Sequence, residues 1–322
     1  MHRDLLQLLA CPDCRTPFTT QSSGVDIVAD GSLTCESGHQ FAVVNGVPRF
    51  VTHALDADQQ RTRESFGHEW TVRYPEHGHT PEERQAERDI FLEYTRSVPS
   101  DFRGKLVLDA GCGNGRYARL VNDWGARVVA VDISSAVDAA QRNVGDRPGV
   151  DVVQADLFKL PFRPDTFDIV YSVGVLHHTP DARGAFAAIQ PLVKPGGFFS
   201  IFVHGQGNRA LHATNRALRR WTAKRSYATT WRFAQALSAV GKVLVAIPFA
   251  GPLLYLLGRQ LVYFEPDRHN TFDHFSAGFT SFHRKDEIRG WYAGWDDVVV
   301  RNAGVANESI YARGARPAGD NG

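Results

Sequence analysis

The stretch LVLDAGCGNGRYARL, residues 106–120, decides the fold. Leu106 to Leu108 form a short apolar strand, Gly111, Gly113 and Gly115 a tight turn, and the residues that follow have helical spacing. Strand, glycine turn and helix together are the plan of a nucleotide site in a doubly wound sheet, where backbone N–H groups and a helix N-terminus meet the ligand. The spacing here is G-x-G-x-G, not the dinucleotide pattern G-x-G-x-x-G, and Asp109 stands just ahead of the turn. A carboxylate there repels a pyrophosphate, so the expected ligand carries a cation such as an amino group.

Working outward, Val128 to Val131 read as a second strand ending in Asp132, followed by Ile133; an acid at that edge accepts from ribose hydroxyls. A third strand, Val150 to Gln154, leads to Asp156, which can accept from an exocyclic amine, and Leu157, which can cover a ring face. A fourth runs from Phe167 to Val173 and carries Ser172. His177 and His178 follow it, then a helix from Arg183 to Val193, a Lys194-Pro195-Gly196-Gly197 turn, and a fifth strand, Phe198 to Val203, ending at His204. Imidazole has a pKa suited to proton transfer near neutrality, so His177 and His204 are the expected catalytic bases.

The segments DAGCGNG, VVAVDIS, QADLFKLPF, FDIVYSVGVLHHTPD and VKPGGFF, in this order, resemble the class I S-adenosylmethionine-dependent methyltransferases. The resemblance covers roughly residues 60 to 205. It implies an α/β, Rossmann-like, seven-stranded and mostly parallel sheet with helices on both faces. It also implies that Asp109, Gly111, Cys112, Gly113, Asn114 and Gly115 lie near the methionine end of S-adenosylmethionine. Asp132 would then lie at the ribose, Asp156 and Leu157 at the adenine, and Ile133 and Ser172 would also bind the cofactor. The first histidine of the Leu-His-His pattern, His177, would serve as base.

Three of the four cysteines fall in the first 40 residues, too few and too local for a disulfide framework. Cys11-x-x-Cys14 and Cys35-x-x-x-His39 have the spacing of two zinc knuckles, and three thiolates with one imidazole close a tetrahedral site with no position left for substrate. A structural zinc ribbon over residues 1–52 is expected. It resembles the small zinc-ribbon protein that activates tRNA methyltransferases and the finger of the ribosomal RNA guanine methyltransferases. Residues 53–100 read as a helical lid or linker, with Phe66, Trp70 and Tyr74 on one helical stripe.

The core spans 101–207, and residues 208–283 read as a helical cap followed by a substrate loop, Asn270 to His283, without a clean period. Residues 284–313 are expected to add a helix and a strand hairpin, and 314–322 a disordered tail. Trp70, Tyr74, His178, Asp273, His274 and His283 are the expected substrate contacts. Val240 to Leu257 is nearly all apolar, but Lys242, Pro248 and Pro252 argue against a membrane-spanning helix. With 36 Lys and Arg against 35 Asp and Glu, the chain lacks the basic excess of a dedicated nucleic-acid binder. The expectation is a cytoplasmic methyltransferase acting on a small-molecule acceptor, its hydroxyl most of all. The alternative is an RNA base methyltransferase that uses the ribbon and the cations Arg216, Arg219, Arg220, Lys224 and Arg225.

Overall fold

The computed structural model describes residues 1–20, 28–73, 80–207, 209–222, 225–264, 268–303 and 308–319. Tyr74 and Lys224 lie outside them, and of Asp273 only the backbone is described.

The central sheet follows from its strands. β5 (Leu106–Ala110), β6 (Arg127–Asp132), β7 (Val150–Gln154), β8 (Phe167–Val173) and β9 (Val193–His204) are runs of Val, Leu, Ile and Phe buried on both faces, which is how parallel strands covered by helices read. With β10 (Asp296–Ala303) and β11 (Ser309–Ala315) they form seven strands in the order β10-β11-β9-β8-β5-β6-β7. The first five are mutually parallel, and β11 runs antiparallel to both β9 and β10. The order reverses at β5, the first strand of the crossover series, so a crevice opens above its carboxyl end.

Successive side chains alternate between two cores. Leu108, Val129, Val131, Val170 and Phe199 face one layer, with α6 (Ala182–Ile189) and α11 (Lys285–Trp291). Val107, Val128, Ala130, Ile169 and Tyr171 face the other, with α4 (Arg116–Asp123) and α5 (Ala136–Val144). Phe91 of α2 (Pro81–Thr95) is wholly buried in that second layer, its ring within 6 Å of those of Phe102, Tyr117, Trp124 and Tyr171.

The N-terminal fifty residues make a four-stranded antiparallel sheet of β1 (Phe18–Thr20), β2 (Gly31–Cys35), β3 (Gln40–Val44) and β4 (Val47–Pro48). Phe18, Phe41 and Phe50 pack ring to ring at 5.0–5.7 Å. This unit is fused to the large sheet. The Phe50 N–H donates to the Gln154 carbonyl at 2.8 Å, His2 meets the buried Asp151, and Arg127 bridges Asp4 and Asp151. The edge of β7, which would otherwise offer unpaired backbone groups, is thereby covered.

Some expectations shift. The period-free stretch from Asn270 is helical in its first half, within α10 (Arg268–Ser276); its aromatics pack on two neighbours at once, which hides the period. The helix expected to reach Val193 ends at Ile189, and β9 begins at Val193, so the Pro195-Gly196-Gly197 stretch belongs to the strand. β11 extends past residue 313 to Ala315, and Arg316 then pairs with Asp165. Three helices follow β9: α7 (Arg209–Thr222), α8 (Tyr227–Ala246) and α9 (Gly251–Arg259).

Candidate active site

The glycine turn sits at the carboxyl end of β5. Gly111, Gly113 and Gly115 all have positive φ, and a side chain on Gly113 would come within 2.9 Å of the Trp70 ring. The turn is tied to the next strand: Gly111 and Cys112 N–H donate to the Val131 carbonyl, and Gly113 N–H donates to Asp132 Oδ2 at 3.0 Å. Asp132 Oδ1 accepts from the Ser134 N–H and hydroxyl. Asp156 caps the short turn after β7 through the Phe158 N–H and faces His53 Nε2 at 3.1 Å.

A deep cleft runs over these groups. Gly111, Cys112, Gly113, Arg116, Tyr117, Asp132, Ile133, Asp156, Leu157 and Phe158 line its floor. Its roof comes from α1 (Ala57–His68), through Gln59, Thr62, Arg63 and Phe66, and from Trp70 in the π-turn that follows. Val173, Gly174, Val175, His178, Thr179, Pro180 and Phe279 close the far side. Arg116 stacks over both Trp70 and Tyr117, at 5.4 and 4.5 Å from their centroids.

Asp109 lies behind the glycine turn, 2% exposed and, like Asn114, outside the lining of the cleft. Burial pushes its carboxyl up to about 7, the nearby Tyr171 hydroxyl offsets part of this, Asp132 adds to it and Arg116 opposes it. The Tyr171 approach stops short of a full hydrogen bond, since among the described residues neither Asp109 Oδ2 nor the Tyr171 hydroxyl has a partner. Asn114 and Gly115 are part of the turn but do not line the cleft, and Ser172 donates to the Ala110 carbonyl within the sheet.

The histidines form one buried cluster at the ends of β8 and β9. His177 stacks on His204 at 3.8 Å, touches His178 at 4.2 Å, and His204 lies 5.4 Å from His274. Burial, reinforced by neighbouring imidazoles or Arg219, lowers the pKa of all four, that of His178 to about 3, so they are neutral. Of these four, His178 alone lines the cleft. With Nδ1–H donating to the Phe279 carbonyl at 3.0 Å, its Nε2 is the nitrogen that carries the lone pair. His283 is held by Ser281 and Glu287, and His204 and His274 border a separate small cavity with Tyr263 and Phe282.

Outside the cleft lining, Cys11, Cys14, Cys35 and His39 converge, their donor atoms all within 4.8 Å of one another. Cys14 Sγ is 3.6 Å from Cys35 Sγ, and His39 Nδ1 is 3.5 and 3.4 Å from the Sγ atoms of Cys11 and Cys35.

The roof residues Gln59, Thr62 and Arg63, and Phe279 opposite, were not among the expected contacts. Arg116 and Tyr117 directly follow the glycine turn, a position from which a cleft contact is readable.

Residues 108–201 match the family described as a methyltransferase domain. A sterol 24-C-methyltransferase of Gibberella zeae is 34% identical over 106 residues, 31% of this chain and 27% of that protein. A tRNA (carboxymethyluridine(34)-5-O)-methyltransferase of Arabidopsis thaliana is 38% identical over 116 residues, 35% of this chain and 26% of that one. The alignments thus span about a quarter of these relatives' length. The solved structure of the N-methyltransferase NodS from Bradyrhizobium japonicum, in complex with S-adenosyl-L-homocysteine, superposes with a TM-score of 0.47 at 13% identity. That superposition covers 81% of this chain and all of the other. With the sheet order described above, the match over residues 108–201 makes the centre of this chain similar to a methyltransferase domain.

Proposed function

We propose that the chain methylates a small, partly apolar acceptor, most simply at a hydroxyl, with S-adenosylmethionine as donor. The observation that carries this reading is the cleft itself, acid-lined below and aromatic above. The residues fit the donor: a buried Asp109 carboxyl whose Oδ2 has no partner among the described residues suits a cationic ligand, and Asp132 and Asp156 stand along one sheet edge for ribose and adenine. The sulfonium supplies an already activated methyl group, so the protein's work is alignment and exclusion of water.

In this reading Asp109 and the Gly111–Gly113 backbone hold the amino-acid end, and Leu157 covers the adenine. Phe66, Trp70 and Phe279 shield the acceptor from solvent and favour an apolar one, a preference that the sterol methyltransferase relatives also support. His178 Nε2 accepts a hydrogen bond from the acceptor's hydroxyl and orients its oxygen, while His177 and His204 pack behind it. This moves the acceptor contact expected of His177 to its neighbour, because His177 does not line the cleft.

The four N-terminal donors are proposed to hold a structural zinc. Zn–S bonds of about 2.3 Å and Zn–N bonds of about 2.0 Å give tetrahedral edges of roughly 3.5–3.8 Å, close to the separations found. The test of the donor site is titration with S-adenosylmethionine: Asp132→Ala should weaken binding at least about tenfold. Unchanged affinity would remove Asp132 from the site.

A further inference from the structure

The helices α8 and α9 form a hairpin whose outer half no described residue covers. The first half of α8 is anchored: Trp231 packs on Phe272 at 5.3 Å, Ala234 is fully buried, and the Ser238 hydroxyl meets that of Thr271 at 3.1 Å. Beyond Gly241, the last buried position of α8, the character reverses. Val243 is 64% exposed, Leu253 61% and Leu261 58%, and Val240, Val245, Ile247, Leu254 and Leu257 are also exposed. At the tip, Phe249 has positive φ and is wholly exposed. Leu253, Leu254, Leu257 and Leu261 recur at i, i+1, i+4 and i+8, a single stripe. A contiguous apolar surface of this kind on a folded chain marks an interaction site.

The charge of the same segment identifies the occupant. Residues 182–264 contain no Asp or Glu, and residues 205–264 carry nine Lys and Arg, although the whole chain is balanced at 36 against 35. Arg216, Arg220, Arg225, Arg232 and Lys242 are exposed. An isologous contact with a second copy would bring two such cationic segments together, which disfavours it. No described helix is long and apolar enough to cross a membrane. Apolar residues at a hairpin tip with cations behind them are what an interfacial, non-spanning helix pair presents to negatively charged headgroups.

We propose that the α8–α9 hairpin docks this protein onto the surface of an anionic lipid bilayer, with Phe249 and the leucine stripe entering the acyl boundary. The proposal does not depend on the acceptor, since none of these residues lines the cleft.

The test is vesicle flotation of the full-length, zinc-loaded protein, with vesicles of phosphatidylcholine alone and of an equimolar mixture with phosphatidylglycerol. The wild type should float with the anionic vesicles and bind the neutral ones at least about tenfold more weakly. Phe249→Ser, Leu253→Ser and Leu257→Ser combined should weaken anionic binding by about 30-fold or more, with an unchanged circular dichroism melt. Arg220→Glu with Arg232→Glu should erase the preference for anionic lipid. A wild type that stays at the bottom with both vesicles, or variants that float as it does, would overturn the proposal. So would a dimer that the triple serine variant dissociates while no vesicle is bound.

Discussion

Asp109 couples donor binding to a proton. In the ligand-free protein its carboxyl titrates at about 7 because burial, with Asp132 adding to it, disfavours the charge. A cationic ligand binds the ionised form, so the observed affinity falls below its plateau by a factor of 1 + 10 raised to (7 − pH). That is about 2-fold at pH 7, about 11-fold at pH 6 and about 100-fold at pH 5. The perturbation is Asp109→Asn, which removes the titration and the charge while keeping the shape. The assay is calorimetric titration with S-adenosylhomocysteine from pH 5 to 9. Any titration of the ligand's own amino group, near 8 for an ordinary α-amine, is common to both proteins. The ratio of the wild-type to the Asn affinity therefore isolates Asp109, and it should rise about tenfold per unit from pH 5 to 6.5 and level off above pH 8. Proton release on binding to the wild type should approach one per site at pH 5.5. A ratio independent of pH would refute the reasoning.

Three further outcomes follow from the site. The neutral His177, His178, His204 and His274 all have pKa values below the unfolded value of about 6.5, so the unfolded chain takes up protons that the folded one refuses. Their stabilisation is complete above pH 6.5 and declines on acidification, for His178 down to about pH 3, by up to about 1.4 kcal/mol per pH unit each. Asp109 acts the opposite way between about pH 4 and 7, one group against four, so the urea midpoint should be lower at pH 5.5 than at 7 and the drop smaller in His204→Gln; a midpoint that does not fall would count against the cluster being neutral. Gly111→Ala places a methyl against the Val175 side chain at positive φ, and should cost about 1–3 kcal/mol in chemical denaturation. His178→Ala should lower turnover roughly 10²-fold with donor affinity intact, through lost orientation of the acceptor, whereas His177→Ala should act mainly on stability; the reverse pattern would return the acceptor contact to His177.

The sheet was readable because its parallel strands are rich in Val, Ile, Leu and Phe and are closely followed by, or end in, an acid or a glycine: Gly111, Asp132, Asp156, Gly174. Less was readable where packing, not period, decides. His177 and His178 are adjacent letters, and only the 3-10 turn Leu176–His178, which swings successive side chains by about 120°, determines which one meets the cleft. The Phe66–Trp70 stripe told of an aromatic face but not that Trp70 would come to rest over Gly113, a contact between segments some forty residues apart. The burial of Asp109, and so its titration near neutrality, depends on β8 and Tyr171, which no local pattern names.

The most direct measurement is release of S-adenosylhomocysteine by the purified protein with methyl-labelled S-adenosylmethionine, supplied in parallel with an organic-soluble metabolite extract and with total RNA. The account predicts turnover with the extract and label recovered in an apolar product of mass 14 Da above its precursor, the gain of one CH₂ that any single methylation produces. Label recovered only in RNA, or no turnover with either, would contradict it.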